Sequence, residues 1–141
     1  MNSARILAVL ALTAVCIGCT TLGRYPKLLE SAITPSELKA GETAVITVRV
    51  ADRHNIIRRV EGVVREDPTV KLKLRDDGQP PDEKAGDNIW TLQVDAPFQA
   101  PAGQFNVDLT AYRSDGSTVP IRKDGHKQAL AVTIPVTIRN P

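Results

Sequence analysis

From about residue 28 onward, apolar side chains recur at every second position in a series of short runs. The clearest run is Leu130–Ile138, in which five apolar side chains fall on one face. Thr43–Ala51 repeats the rhythm, with Ile46, Val48 and Val50 on one face and polar side chains on the other. Successive side chains of a strand point to opposite faces, so this period indicates strands with one buried face. We find no convincing helical period after the leader.

Seven segments carry this pattern and are separated by turn signals such as Gly41 and Asp115-Gly116. They are Ser31–Thr34, Thr43–Ala51, Ile56–Arg65, Val70–Leu74, Trp90–Asp95, Phe105–Ser114 and Leu130–Ile138. A further short edge strand is predicted at Val119–Ile121. Repeated short strands without helices predict an all-β fold, an antiparallel two-sheet sandwich of about seven strands. Trp90, the single tryptophan, is predicted to fill the space between the sheets as part of the structural core.

Two residues inside these strands predict local irregularities. Gly62 interrupts the alternation of its strand, which indicates a β-bulge there. Pro135 lies within the last strand and has no N–H to donate to a ladder, so that point is predicted to lie at an edge or a bulge.

Composition limits the possible functions. The chain has 141 residues and a net charge of +2, so nothing in its overall charge favours binding to nucleic acid. Without its leader the chain would keep about 120 residues, the size of one domain. The two cysteines, Cys16 and Cys19, lie at the leader, so no disulfide is expected in the folded part.

The first 18 residues are predicted to be an export signal forming a helix. Arg5 supplies the positive start, and the apolar run Ile6–Ile17 is too short to span a bilayer. Gly18-Cys19 resembles the lipobox of bacterial lipoproteins, although Cys16 stands where leucine is usual. The alternative is an ordinary secretory signal that is cut nearby.

The lipobox resemblance implies an organisation for the N-terminal part of the chain. Residues 1–18 would be removed as a lipoprotein signal peptide, and Cys19 would be lipidated and held in the membrane by its acyl chains. Residues 19–28 would form a tether, and residues 29–141 the β-sandwich domain. Thr20 in place of aspartate after the cysteine implies the outer membrane, on its periplasmic or surface side.

The segment Leu74–Trp90 is rich in acidic residues, glycine and proline. Calcium prefers six to eight oxygen ligands, and the glycines would let the backbone wrap around an ion. The candidate ligands are Asp76, Asp77, Asp82 and Asp87, with an amide oxygen from Asn88. The alternative is turn chemistry alone, in which these side chains cap backbone N–H groups and Arg75 or Lys84 balances their charge.

The same segment resembles a loop of bacterial immunoglobulin-like and fibronectin-type-III-like modules. The resemblance rests on Asp76-Asp77-Gly78, on Ala85-Gly86-Asp87-Asn88-Ile89-Trp90-Thr91 and on the later run Pro101–Val107. This chain departs from the usual pattern at Pro80-Pro81 and at Asn88, where glycine is common. The resemblance implies an immunoglobulin-like sandwich and says nothing about activity.

Together these features favour a non-enzymatic, lipid-anchored module that mediates protein interaction or scaffolding in the cell envelope. Its partner would be an unidentified envelope protein or a glycan. The alternative is a carbohydrate- or peptidoglycan-binding module, which would need exposed aromatic side chains, and only Tyr112 and Phe98 are candidates. A small hydrolase is disfavoured because Ser114 and Ser117 have no recognisable base and histidine arrangement.

Overall fold

A computed structural model describes residues 25–140. The predicted signal helix, Cys19 and most of the predicted tether lie outside these residues. Between residues 25 and 140 the chain forms ten strands and no helix that could cross a membrane. They are β1 (Lys27–Thr34), β2 (Glu37–Lys39), β3 (Thr43–Ala51), β4 (Arg59–Val64), β5 (Asp67–Lys73), β6 (Ile89–Asp95), β7 (Gly103–Tyr112), β8 (Pro120–Lys123), β9 (His126–Ala129) and β10 (Ala131–Arg139).

The strands form two main sheets and one hairpin. The first sheet has the order β1-β3-β6, and the second has the order β2-β10-β7-β4-β5. Strands β8 and β9, which follow β7 and precede β10 in the chain, pair with each other as a separate hairpin. The predicted all-β, two-sheet sandwich is therefore confirmed. The seven predicted strands correspond to β1, β3, β4, β5, β6, β7 and β10.

This strand order is that of an immunoglobulin-like sandwich. Such a domain places its first, second and fifth strands in one sheet and its third, sixth and seventh in the other. Here β1, β3 and β6 form the first group, while β4, β7 and β10 form the second. The position of the fourth strand, beside β6, is reduced to one bridge between Arg75 and Thr91. As a result, the first sheet is narrower than the second.

Strand β2 lies outside the predicted strands and is a short strand that joins the second sheet. It pairs with β10 in parallel, whereas every other described ladder is antiparallel. Pro35 and Ser36 alone separate β2 from β1, and the chain passes from one sheet to the other between them. Only Leu38 of the three residues of β2 is buried, which is too little to produce a visible period.

The core follows the predicted alternation. Ala44, Ile46, Val48 and Val50 of β3 are all buried and face the second sheet. Trp90 stands opposite Val48 in the ladder and points to the same side, but it is only half-buried and packs at the margin of the core. It is the second residue of β6, which is an edge strand of the narrow sheet. Among the described residues, its buried indole Nε1 has no hydrogen-bond partner.

The two predicted irregularities have different outcomes. The bulge predicted at Gly62 is wrong in its position, because the β4–β5 register shifts between Val63 and Val64. A Cβ on Gly62 would lie 2.6 Å from Leu109 Cδ2, so this glycine allows a close approach between neighbouring strands. Pro135 stands opposite Asn106 of β7, in the part of β10 before its pairing with β2 begins at Thr137. Its missing N–H therefore lies at an open edge.

Candidate functional site

The acidic loop, residues 74–90, carries the chain from the second sheet to the first. Leu74, only 3% exposed, anchors its start in the core. Arg75 and Thr91 then exchange two backbone hydrogen bonds of 2.8 Å, which tie the start of the loop to β6. The loop is held at both ends, so its carboxylates occupy defined positions.

Asp76 joins the two ends of this loop through hydrogen bonds. Its Oδ1 accepts from the backbone N–H of Gly86 at 2.8 Å and of Asp87 at 3.3 Å. Its Oδ2 accepts from the N–H of Asn88 at 3.1 Å. Asn88 has a positive φ of 66°, a conformation that asparagine tolerates better than most residues. Its structural part here is that of a backbone donor in a tight turn.

Asp82 organises the middle of the loop and is only 3% exposed. Its Oδ2 accepts from the N–H of Gly78 at 2.5 Å, and its own N–H donates to the carbonyl of Gln79 at 2.8 Å. Gly78 has a φ of +73°, and a Cβ there would lie 3.0 Å from the N atom of Ala85. Only glycine meets both requirements without strain, which explains its place beside these aspartates.

Three of the five predicted metal ligands converge. Carboxylate oxygens of Asp76, Asp82 and Asp87 lie within 4.8 Å of one another. Asp77 instead pairs with the guanidinium of Arg75, with 2.7 Å between Nε and Oδ2, and caps the N–H of Gln79 at 3.0 Å. The sequence placed Asp76 and Asp77 together as ligands, whereas the backbone directs these neighbours to different partners.

The electrostatics of the loop separate the same two residues. Burial raises the pKa of Asp76, with a smaller contribution from the charge of Asp87, against the lowering effect of its three backbone donors. The N–H of Gln79 and then the guanidinium of Arg75 lower the pKa of Asp77. A cation among the three converging carboxylates would relieve their repulsion. Since calcium needs six or more oxygens, carbonyls or water would have to complete its shell.

The hydrogen bonds within the loop are the turn chemistry that the sequence offered as the alternative. Carboxylate oxygens carry several lone pairs, so an oxygen that caps an N–H can also coordinate an ion. The three aspartates therefore fit a hard cation without losing their structural role. Calcium in this loop stays a prediction.

A second candidate site lies at the opposite end of the sandwich, in the distal loop, residues 96–102. This loop joins β6 to β7 and contains no charged residue. Phe98 in it is 85% exposed, the largest value among the exposed large apolar side chains of the described residues. Sequence reasoning named Phe98 only as a leftover aromatic. The missed signal was the uncharged run on both sides of it.

Phe98 is exposed but does not hang free. Its ring lies over Gly41, where a Cβ would stand 2.5 Å from Cε1. The N–H of Gly41 donates to the carbonyl of Ala96 at 2.8 Å, and the N–H of Ala96 donates to Glu42 at 2.8 Å. These hydrogen bonds connect the distal loop to the turn before β3, next to the contact between the ring and Gly41.

Comparison with known proteins does not place the chain in a family. No family model matches the chain, and no curated protein matches it. The structure is similar to an endo-β-1,4-mannanase from Thermotoga petrophila, with 12% identity and a TM-score of 0.43, covering 83% of this chain and 19% of the mannanase. It is also similar to a Niemann-Pick type C2 protein from the Japanese carpenter ant, with 13% identity and a TM-score of 0.47, covering 83% of this chain and 95% of that one. The chain thus spans about a fifth of the mannanase, and likenesses this weak carry no inference about activity.

Proposed function

We propose that this protein is a non-enzymatic module of the cell envelope, lipid-anchored at Cys19, that binds another envelope protein through its distal loop. The observation that supports this most directly is Phe98, an aromatic side chain that is 85% exposed and contacts Gly41. Aromatic side chains are enriched among the residues that dominate binding energy at protein interfaces. The contact with Gly41 reduces the freedom that the ring would lose when a partner covers it.

The positions of the N-terminal end of β1 and of the distal loop support a binding surface that faces away from the membrane. Strand β1 runs from Lys27, opposite Ala51, to Thr34, opposite Val45. Its eight residues span about 23 Å at the usual rise of a strand. The distal loop follows Asp95, which pairs with Thr43 near the far end of β1. An acyl group on Cys19 would therefore attach to one end of the sandwich and leave Phe98 at the other.

The protein partner is favoured over a glycan by the state of the other aromatic side chains. Sugars stack on exposed aromatic faces. Tyr112 is partly buried, and the guanidinium of Arg59 lies over its ring, 5.3 Å from the centroid. Tyr25 is 68% exposed but lies at the opposite end from Phe98. Phe98 would therefore have to form a sugar platform alone, whereas a protein partner needs only one such anchor.

Site-specific photo-crosslinking in intact cells tests the binding surface. A photoreactive phenylalanine analogue at position 98 should capture a discrete envelope protein. The same analogue in place of Leu29, which is also exposed but lies near the other end of β1, should not. Equal capture from both positions, or capture from neither, would count against the distal loop. Crosslinks to peptidoglycan fragments would instead favour the carbohydrate-binding alternative.

The anchor is tested separately, with Cys19→Ala in the full chain. This variant should lose its acyl modification by mass spectrometry and leave the membrane fraction, while the domain keeps its β-sheet signature in circular dichroism. A chain that stays unmodified with Cys19 present would refute the anchor and leave the binding surface open to the crosslinking test.

A further inference from the structure

A cavity of about 340 Å³ lies between the two sheets at the end that carries the distal loop. Its inner wall is apolar and buried, with Ile33 and Ile46 from the first sheet facing Val107, Val136 and Ile138 from the second. Protein interiors rarely leave voids much larger than a water molecule. The volume falls instead in the lower part of the range of small-molecule sites, about 300–1,000 Å³.

The cavity is open on one side because the two sheets differ in width. Strand β5 is the outer strand of the five-stranded sheet, and no full strand of the first sheet lies opposite it. Leu72 stands opposite Gly62 in the β4–β5 ladder, and both Leu72 and Val70 line the cavity. Val70 nevertheless remains 37% exposed, because it lacks a covering strand. It lines the cavity together with Val94 of β6, so the opening lies between β5 and β6.

The rim of the opening carries negative charge. Among the described residues that line the cavity, the charged ones are Asp67 and Asp95, and both are exposed. Asp67 accepts a hydrogen bond from Thr69, and Asp95 accepts one from Thr43 at 2.6 Å, which holds each carboxylate in place. A ligand with a carboxylate head would meet like charge there, whereas an uncharged head would not.

We propose that this cavity binds the aliphatic chain of a neutral single-chain amphiphile, such as a long-chain alcohol or a monoglyceride. The chain enters between β5 and β6 past Val70 and lies against the buried apolar wall. The uncharged head stays at the rim near Asp67 and Asp95. An aliphatic chain against this wall would displace water that finds few polar partners there, which favours its binding. The distal loop also lines this cavity, through Pro97 and Gln99 on either side of Phe98, but the binding of an aliphatic chain does not depend on the proposed role of Phe98.

The test uses N-phenyl-1-naphthylamine, a neutral fluorophore that brightens in apolar surroundings. The full chain carries Cys19→Ser, so that no acyl chain of its own competes. The fluorophore should bind saturably and be displaced by 1-dodecanol, below its solubility limit, at about fivefold lower concentration than by dodecanoate. Asp67→Asn should narrow that ratio by easing entry of the anion.

Position and fold are controlled with a matched pair on β5. Val70→Phe narrows the opening and should weaken fluorophore binding at least about tenfold, in keeping with the loss of a well-filled apolar contact. Lys71→Phe adds the same ring on the opposite face of the strand and should leave binding unchanged. Both variants should show the wild-type unfolding transition. Equal loss in both variants, no saturable binding, or preference for dodecanoate would each overturn the proposal.

Discussion

The acidic loop and the distal loop lie at opposite ends of the sandwich and use their side chains in opposite ways. In the acidic loop, the carboxylates of Asp76, Asp82 and Asp87 accept hydrogen bonds from the loop's own backbone. In the distal loop, the ring of Phe98 contacts Gly41 and is otherwise exposed. The acidic loop stands out in the sequence by its aspartates, and most of their hydrogen bonds are formed within the loop. The distal loop has no charged residue and exposes the ring of Phe98.

The difference shows that a loop with many charged side chains is not for that reason free to bind a partner. A buried N–H without a partner is costly, so a long loop that crosses between sheets needs acceptors of its own. The aspartates meet that need before any ligand does. The side chain of Phe98 satisfies no backbone group. The N–H of Gly41 and the carbonyl of Ala96, which lie near it, already bond to each other. Stability should therefore depend on the acidic loop, and binding on the distal loop.

The largest expected effect is the loss of stability in Asp76→Ala. Three backbone N–H groups lose their charged acceptor, and each such hydrogen bond contributes about 1 kcal/mol net, so unfolding should become easier by about 2–4 kcal/mol. Asp77→Ala is the matched control, because its partners are exposed, and it should cost much less. Urea unfolding measures both. Equal losses would contradict the division of roles between the two neighbours.

Calcium gives the next largest effect if the three aspartates hold it. An ion that binds only the folded state adds about 2.7 kcal/mol at a concentration one hundred times its dissociation constant. The calcium hypothesis therefore predicts a higher melting temperature in millimolar calcium than in chelator, and no such difference in Asp82→Asn. A melting temperature that ignores both calcium and chelator would leave the loop's own hydrogen bonds as the full explanation of its acidic residues.

Gly41→Ala should disturb the distal loop through the contact between position 41 and the ring of Phe98. Its φ is +84°, where an L-residue with a Cβ costs about 1–2 kcal/mol, and the new methyl would stand 2.5 Å from Cε1 of Phe98. Unfolding should become easier by about that amount, and the ring should shift. Gly86→Ala is the control, since it shares a positive φ and has open space around it. A ring that keeps its contacts in NMR spectra of Gly41→Ala would show that Gly41 does not position it.

Acid titration separates the aspartates by a smaller effect. Because burial raises the pKa of Asp76, the folded state binds its proton more tightly than the unfolded state does. Its contribution to stability therefore falls as pH rises through the range between the ordinary value, about 3.9, and the raised one. For Asp77, whose pKa is lowered, the contribution is present above the ordinary value and is lost as pH falls. Carboxyl NMR should place the midpoint of Asp76 above that of Asp77, and the reverse order would contradict the assignment.

Much of the fold was readable because burial on one face of a strand leaves a two-residue period. Ile46 and Val48 are as buried as their spacing implies. Trp90 was predicted at the centre and lies at the margin, because size alone does not reveal that its strand borders a narrow sheet. Strand β2 was missed because three residues are too few to show a period.

The sites were less readable than the fold because they depend on contacts between distant residues. The sequence shows five acidic residues, but not that Arg75 captures Asp77 while Asp76 turns toward Gly86. The contact of Phe98 with Gly41 joins residues 57 positions apart, and it follows only once β3 and β6 are paired in register. The open cavity likewise results from a strand position that is nearly empty, which no single residue signals.

The smallest expected effect on stability, and the sharpest contrast with Asp76, belongs to Phe98→Ala. A side chain that is 85% exposed in the folded state has little apolar surface to lose on truncation. Its removal should change the free energy of unfolding by no more than about 0.5 kcal/mol. The same variant should abolish capture of the envelope partner, tested with a crosslinker placed at the neighbouring Gln99. Unfolding and capture must be measured on one preparation, because a stability loss as large as that of Asp76→Ala would mean that the ring serves the fold. Loss of capture at unchanged stability would assign Phe98 to binding.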